Sequence, residues 1–366
     1  MYSVSAREGQ RADRRGDDQR RQDKPDERGE RDHRRHPRPL CDVCEENREN
    51  TRICGARIYG ADSVFVVELV DLGDSGLRVS RVGLGCNNFG GRIDLDATRA
   101  VVDAALEVGI TFFDTAEIYG NDGGSECFLG EILEGRRDRV VLATKFGWAQ
   151  GRGYADATYI RDAIDGSLER LRTDYVDLYY LHKPDPDTPI AETLGVLDEL
   201  VSSGKVRAIG CSNFSAEQLA EADRVAREHG TARFTVLQNH YSLLDRGDDQ
   251  DVLPLCREIG IAYIPYFPLA SGLLTGKYER GELAPEGTRL AGREIEAERL
   301  ERVEALKRFA EQRGRSLLDL AISALASTPG IGSVIAGATK PEQVRANSAA
   351  GAWRLEANDL EALATL

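Results

Sequence analysis

V-V-L-A-T-K at residues 140–145 and V-D-L-Y-Y-L-H at residues 176–182 bracket a segment in which Ile160, Ile164, Leu168 and Leu171 recur on one face of a 3.6-residue period. Strand runs this apolar are covered on both faces, and two of them joined by a helix lie parallel in one sheet. The same unit repeats outward in both directions. Comparable runs stand at residues 82–85, 110–114, 206–212, 234–240, 261–268 and 333–338, which brings the count to eight. Ser215 with Gln218 three residues on reads as a capping box, and Gly109, Gly204 and Gly260 read as helix C-caps.

Eight strand–helix units predict an α/β fold of the (β/α)8 TIM-barrel class. Residues 68–72 and 77–80, flanking Gly73-Asp74-Ser75-Gly76, add an N-terminal β-hairpin ahead of it. The competing architecture is a doubly wound open sheet with a dinucleotide on a Gly-rich turn. Gly83-Leu-Gly85-Cys-Asn-Asn88 begins like that fingerprint, but the third glycine is absent and no helix opens there.

Composition divides the 366 residues unevenly. Of the first 40, 21 are charged, 12 basic and 9 acidic, and Tyr2 is the one aromatic. Such a segment cannot bury a core, so residues 1–63 read as a disordered charged extension and 64–366 as the folded domain. His33, His36, Cys41, Cys44 and Cys54 in the extension are metal-ligand types, but the His pair precedes the Cys pair with four residues between. That order argues against a zinc finger, and no metal site is expected. The single methionine is Met1; a gene start at a GTG codon read as Val66 or Val67 would leave the preceding residues outside the natural protein, which an intact mass decides.

The formal charge is −14, of which the first 40 residues contribute +3, so the remainder carries −17 and is a poor partner for nucleic acid. Seven irregularly spaced Cys do not make a disulfide scaffold, the charged N-terminus has no signal-peptide core, and no apolar run nears the ~18 residues of a membrane span. These features predict a soluble cytoplasmic protein without a membrane partner. Cys86, Cys127, Cys211 and Cys256 read as buried thiols with no catalytic part.

In barrels the chemistry sits at the C-terminal ends of the strands. Those ends carry Asp114, Lys145, His182, Ser212 with Asn213, Gln238 and Tyr266, each polar or polar-tipped, and Tyr119 follows shortly after Asp114. Singly, each has a plainer reading: a hydrogen-bonded structural His, a solvated Lys, a Tyr packed in a turn. Together, Asp114, Tyr119, Lys145 and His182 suit carbonyl reduction, which needs a hydride at carbon and a proton at oxygen. A phenol of pKa about 10 is a reluctant acid at neutral pH, and a nearby ammonium lowers that pKa. Asp114 would hold Lys145 charged, His182 would hydrogen-bond the carbonyl oxygen, and Tyr119 would give the proton.

F-D-T-A-E-I-Y-G (113–120), the Lys of A-T-K-F-G, Y-L-H-K-P-D (180–185), G-C-S-N-F (210–214) and L-Q-N-H-Y-S-L-L (237–244) resemble, in order, the motifs of the aldo-keto reductase family. The resemblance runs from Val67 to the C-terminus, about four fifths of the chain. It implies a barrel binding NADPH (or NADP+) across its rim without a Rossmann domain, and a tetrad of Asp114, Tyr119, Lys145 and His182. It further implies that Ser212, Asn213 and Gln238 hold the nicotinamide carboxamide and that Tyr266 supports the ring. Phe267, Pro268, Leu269, Ser271 and Lys277 resemble the loop over the pyrophosphate, although many members have serine where Phe267 stands. Gly337, Thr339, Lys340, Gln343 and Asn347 resemble the adenosine clamp. The clamp departs from the best-known K-S-x-x-x-R version, leaving Thr339, Lys340 and Arg345 as candidates for a 2′-phosphate.

The expected function is reversible hydride transfer between NADPH and a small aldehyde or ketone. The alternative is a cofactor-sensing regulatory subunit with little turnover, since the resemblance also reaches the beta subunits of voltage-gated potassium channels. A metal- or nucleic-acid-binding module would rest on the extension alone. Asn87, Phe89, Trp148 and the segment near Trp353 are the expected substrate-pocket residues, and 285–293 is a polar stretch suited to a mobile cover.

Overall fold

The computed structural model of the chain describes residues 67–148, 153–278, 283–284, 286 and 288–366. The expectations for residues 1–63, including the His/Cys cluster, lie outside them, as does part of the expected cover at 285–293. The described residues open with a hairpin of β1 (Leu69–Asp71) and β2 (Arg78–Ser80), paired antiparallel with Leu69 opposite Ser80. Eight parallel strands follow: β3 (Val82–Gly85), β4 (Phe112–Asp114), β5 (Val141–Phe146), β6 (Val176–Leu181), β7 (Val206–Ser212), β8 (Phe234–His240), β9 (Ala262–Tyr266) and β10 (Val334–Gly337).

Their order in the sheet is β10-β3-β4-β5-β6-β7-β8-β9, so every strand lies beside its neighbour in sequence and the ends approach each other. The final seam is slight. Tyr263 in β9 bridges to Ile331, ahead of β10, with Tyr263 N donating to Gly330 O and Gly332 N donating to Tyr263 O, both at 2.9 Å. The nearly closed (β/α)8 barrel expected from the eight runs is therefore present. One run was read too long: the chain leaves β9 at Phe267, whose φ of +56° is incompatible with an extended strand.

The helices are α1 (Leu95–Glu107), α2 (Gly124–Ile132), α3 (Ala157–Leu171), α4 (Ile190–Ser202), α5 (Ala216–His229), α6 (Val252–Ile259), α7 (Ala297–Glu311), α8 (Leu317–Ser327), α9 (Pro341–Ala350) and α10 (Ala357–Ala364). The Ser215–Gln218 capping box opens α5, and Gly260 closes α6 in the left-handed conformation, as the sequence predicts. Among the described residues, two α-helices rather than one join β9 to β10. Gly314, at φ +66°, ends the first, and a second box of Ser316 with Asp319 starts α8. Residues Leu320 to Ala326 of α8 are all buried, while α7 buries Leu300, Val303, Leu306 and Phe309 along one face.

Two apolar layers result. Val101, Leu142, Tyr179, Ile209, Leu237, Tyr263 and Val334 belong to the layer that includes the helices. Phe112, Ala143, Leu178, Tyr180, Val236, Ile264 and Ile335 fill the barrel, and Leu72, Leu77 and Val79 from the hairpin join them. The hairpin thus plugs the barrel floor: Asp74 N donates to Gly260 O just ahead of β9.

Candidate active site

Strand side chains alternate between faces. The barrel-facing set Phe112, Ala143, Leu178, Val236 and Ile264 continues two residues on to Asp114, Lys145, Tyr180, Gln238 and Tyr266. One alternation therefore makes both the apolar core and, at the C-terminal rim, the polar residues. Tyr180 has room because its neighbour is Gly210, where an added Cβ would sit 2.7 Å from the tyrosine ring.

Lys145, fully buried, donates to Asp114 Oδ1 at 2.5 Å and to Thr115 O at 2.8 Å. Gln238 Nε2 donates to Asp114 Oδ2 at 2.8 Å, so both carboxylate oxygens are engaged. An ammonium buried this deeply holds its charge only with such partners, and removing one from a buried pair typically costs about 3–5 kcal/mol. Burial disfavours the charged lysine, but Asp114 and then Tyr119 outweigh it and raise its pKa.

Tyr119 is carried by the turn after β4, with its ring centre 5.1 Å from Lys145 Nζ. The turn is tight: a side chain at Gly120 would strike Phe89 O at 2.4 Å and Ser125 N at 2.5 Å. Burial pushes the Tyr119 phenol up, and Lys145 pulls it down by charge and hydrogen bonding. Burial wins. The lowering by Lys145 is the one expected from the sequence, and the burial that outweighs it is not encoded there.

His182 follows β6 and is buried. Its backbone N donates to Phe146 O at 2.8 Å and its carbonyl accepts from Asn213 Nδ2 at 2.9 Å. Burial, then the charges of Lys145 and Lys183, hold the imidazole well below its usual pKa, so it is neutral at pH 7. Its ring is 5.9 Å from that of Tyr119 and 4.6 Å from that of Trp148, while Nδ1 is buried with no hydrogen-bond partner among the described residues.

Asn213, at φ +61°, ties the next three rim residues together. Its amide nitrogen also donates to Ser212 Oγ at 3.1 Å, and its oxygen accepts from Tyr266 OH at 2.8 Å. Tyr266 stacks on His240 at 5.5 Å and meets Phe267 edge-on at 5.3 Å. The turn holding Phe267, Pro268, Leu269 and Ser271 contains three non-glycine residues with left-handed backbone: Phe267, Ala270 and Ser271 at φ +56°, +46° and +58°. Such residues cost about 1–3 kcal/mol each and cluster at ligand clamps.

Beside this turn three cations converge. Burial and then the charges of Arg92 and Arg289 lower the Lys277 pKa; burial and then Arg92 lower that of Arg289. Among the described residues no carboxylate forms an ion pair with any of the three. Arg289 lies 5.1 Å over the Phe267 ring and donates to Asn88 Oδ1 at 3.3 Å, and Asn88 Nδ2 donates to Ala338 O at 3.2 Å. Asn88 therefore joins the cationic cluster to the end of β10. There Gly337 lies bare against Asn87 and Asn88, a Cβ having only 3.2 Å to Asn88 Nδ2.

Thr339 N and Oγ1 both donate to Gln343 Oε1, at 2.7 and 3.1 Å, and α9 begins at Pro341 behind Lys340 with no side-chain cap. Arg345, by contrast, pairs with Glu107 of α1 at 2.7 Å, and Asn347 is buried in α9. Arg92 and Arg289 were not singled out from the sequence. They come from separate loops, and nothing in either loop's sequence marks them.

The expected pocket residues divide. Trp148 is 43% exposed over His182, and Asn87 is at the rim beside Gly337. Phe89 instead is fully buried in the core, and Trp353 packs in the outer layer beside Arg315, so both serve packing rather than a pocket wall. Cys86, Cys211 and Cys256 are buried as expected, but Cys127 is exposed on the outer side of α2. No group of His, Cys, Asp and Glu among the described residues could hold a metal, and no described helix is long and apolar enough to cross a membrane.

The sequence profile of the Aldo/keto reductase family matches residues 81–366. The chain is 36% identical to "Aldo-keto reductase YhdN" of Bacillus subtilis (strain 168), over 82% of this chain and 93% of that protein. It is 33% identical to "Probable aldo-keto reductase 1" of Glycine max, over 80% and 87%. It is 37% identical to "Probable voltage-gated potassium channel subunit beta" of Oryza sativa subsp. japonica, over 76% and 89%. A barrel with these rim residues, a profile spanning nearly all of it and relatives matched along most of their length place the chain in the aldo/keto reductase family.

Proposed function

We propose that the chain is an NADP-dependent reductase of aldehydes or ketones, with Tyr119 as the proton donor. Family membership supports the oxidoreductase class. The observation that carries the finer reading is the stack of Asp114, Lys145 and Tyr119 beside a neutral His182.

The residues present fit a dinucleotide phosphate. Burial and then the charges of Arg92 and Arg289 lower the pKa of Lys277, and burial and then Arg92 lower that of Arg289, a cost that an anion between them would relieve. The start of α9 has no side-chain cap, so its positive dipole end is open to an anion, and side-chain-free Gly337 leaves space at the rim. Thr339 and Lys340 remain candidates for a 2′-phosphate, whereas Arg345 is engaged with Glu107. Bound there, NADPH would supply the hydride.

The chain supplies the rest. His182, neutral and held through its backbone, can donate one hydrogen bond to the carbonyl oxygen without competing as an acid. Tyr119 gives its proton to the same oxygen as charge develops. Lys145 stabilises the tyrosinate left behind, and Asp114 with Gln238 keeps Lys145 charged and in place. In the reverse direction the tyrosinate recovers a proton from an alcohol.

Tyr119→Phe should bind NADPH with the wild-type affinity in a fluorescence titration yet lose carbonyl reduction by about 10²-fold or more. Undiminished turnover would reject the role. The likeness to the rice protein favours a second reading, a cofactor-bound regulatory subunit. Tight NADPH binding without turnover of any aldehyde or ketone by the wild-type chain would select it.

A further inference from the structure

We propose that Lys183 forms an anion subsite at the mouth of the substrate pocket, selecting carbonyl compounds that carry a carboxylate on the side away from the reacting carbon. This rests on the reductase reading for its substrate class, although the subsite can be tested without turnover.

Lys183 immediately follows His182, the residue assigned to the carbonyl oxygen. Its ammonium lies 5.3 Å from the Trp148 ring and 4.5 Å from the Tyr154 ring, so the cation is held between two aromatic walls. One wall is fixed: Tyr154 is buried and donates through its OH to Pro184 O at 2.8 Å. The other is the half-exposed Trp148, which also covers the His182 ring at 4.6 Å. A substrate reaching His182 past Trp148 therefore passes the ammonium.

No carboxylate among the described residues forms an ion pair with Lys183. Two acids act on the Tyr154 wall, Asp185 and Asp187, and both are otherwise engaged: Asp185 Oδ2 accepts from Ala155 N at 3.0 Å and Thr188 Oγ1 at 2.8 Å, its Oδ1 accepts from Asp187 N at 3.0 Å, and Asp187 has a further partner of its own. The charge is felt inside the site, since Lys183 is one of the groups that keep His182 neutral. A half-exposed ion pair contributes about 1 kcal/mol, or about fivefold in a rate or binding constant.

The test compares 4-formylbenzoate with its neutral isostere 4-formylbenzamide, using the full chain and NADPH. The wild type should favour the carboxylate by about fivefold or more in kcat/KM; Lys183→Met should bring the ratio close to one, and Lys183→Arg should restore it. Binding is read separately with 4-nitrobenzoate and 4-nitrobenzamide, which have no aldehyde or ketone. The chain has two tryptophans, so in a Trp353→Phe background quenching reports Trp148 alone. Tighter, Lys183-dependent binding of the nitrobenzoate without turnover of either aldehyde would sink the reductase reading and leave the subsite standing. Equal binding of the two probes, or a carboxylate preference unchanged in Lys183→Met, would overturn the subsite.

Discussion

An imidazole that stays neutral inside a rim of cations has a stability signature as well as a chemical one. The unfolded chain titrates His182 near the ordinary value of about 6.5, while burial and the charges of Lys145 and Lys183 depress the folded value well below it. Below pH ~6.5 the unfolded state therefore binds the additional proton, and the stability associated with His182 is lost as pH falls through that value. The slope is bounded by one proton, about 1.4 kcal/mol per pH unit. Denaturant melts at pH 5 and pH 7 should show a smaller acid loss for His182→Asn than for the wild type; an equal loss would mean that His182 titrates normally. Asp114, Lys145 and His182 were legible in the sequence because polar residues at the ends of apolar strands stand out. The net pKa of Tyr119 was not, since it depends on how far burial opposes Lys145, and no residue spacing encodes desolvation.

Elements as well as residues are tied together at this rim. Glu117, in the turn after β4 that carries Tyr119, accepts through Oε1 from Gly147 N in the turn after β5 and from Tyr159 OH on α3, both at 2.9 Å. Its backbone N donates to Lys145 O at 3.1 Å. One residue thus clasps the Tyr119 turn to the Trp148 turn, and burial raises its pKa despite these hydrogen bonds. Glu117→Ala removes the clasp. It should lower kcat/KM for carbonyl reduction by about tenfold or more, with NADPH affinity retained, because small displacements of positioned groups are costly. Glu117→Gln, which keeps an acceptor oxygen, should recover most of the loss; no recovery would show that charge rather than the clasp matters. The sequence marked Glu117 only as part of a motif. Its partners lie in later segments, so the contact follows from the closing of the barrel. Arg92 and Arg289 were obscure for the same reason, whereas the capping boxes and glycine caps were legible because their partners are a few residues away.

At the scale of the whole molecule, the eight apolar runs specify the barrel and the hairpin specifies its plug, since both are patterns of continuous burial. The extra helix between β9 and β10 was less visible, because only Gly314 and the following capping box interrupt an otherwise helical stretch. That insertion lies at the seam where Tyr263 makes a single bridge to Ile331, while the other strand pairs run as parallel ladders. The barrel is a hoop with one light fastening, and the turn after β9 and the start of α9 stand on either side of it. Local opening goes furthest where fewest hydrogen bonds must break. Amide hydrogen exchange should be faster at Tyr263 and Gly332 than at Tyr179 or Tyr180 in the ladder between β6 and β7, and saturating NADPH should slow it at both seam positions. Equal protection at both places would mean that the fastening is as firm as the rest. If the contrast holds, a long ligand need not thread a rigid ring: the hoop can part at its clasp and close over what it has taken in.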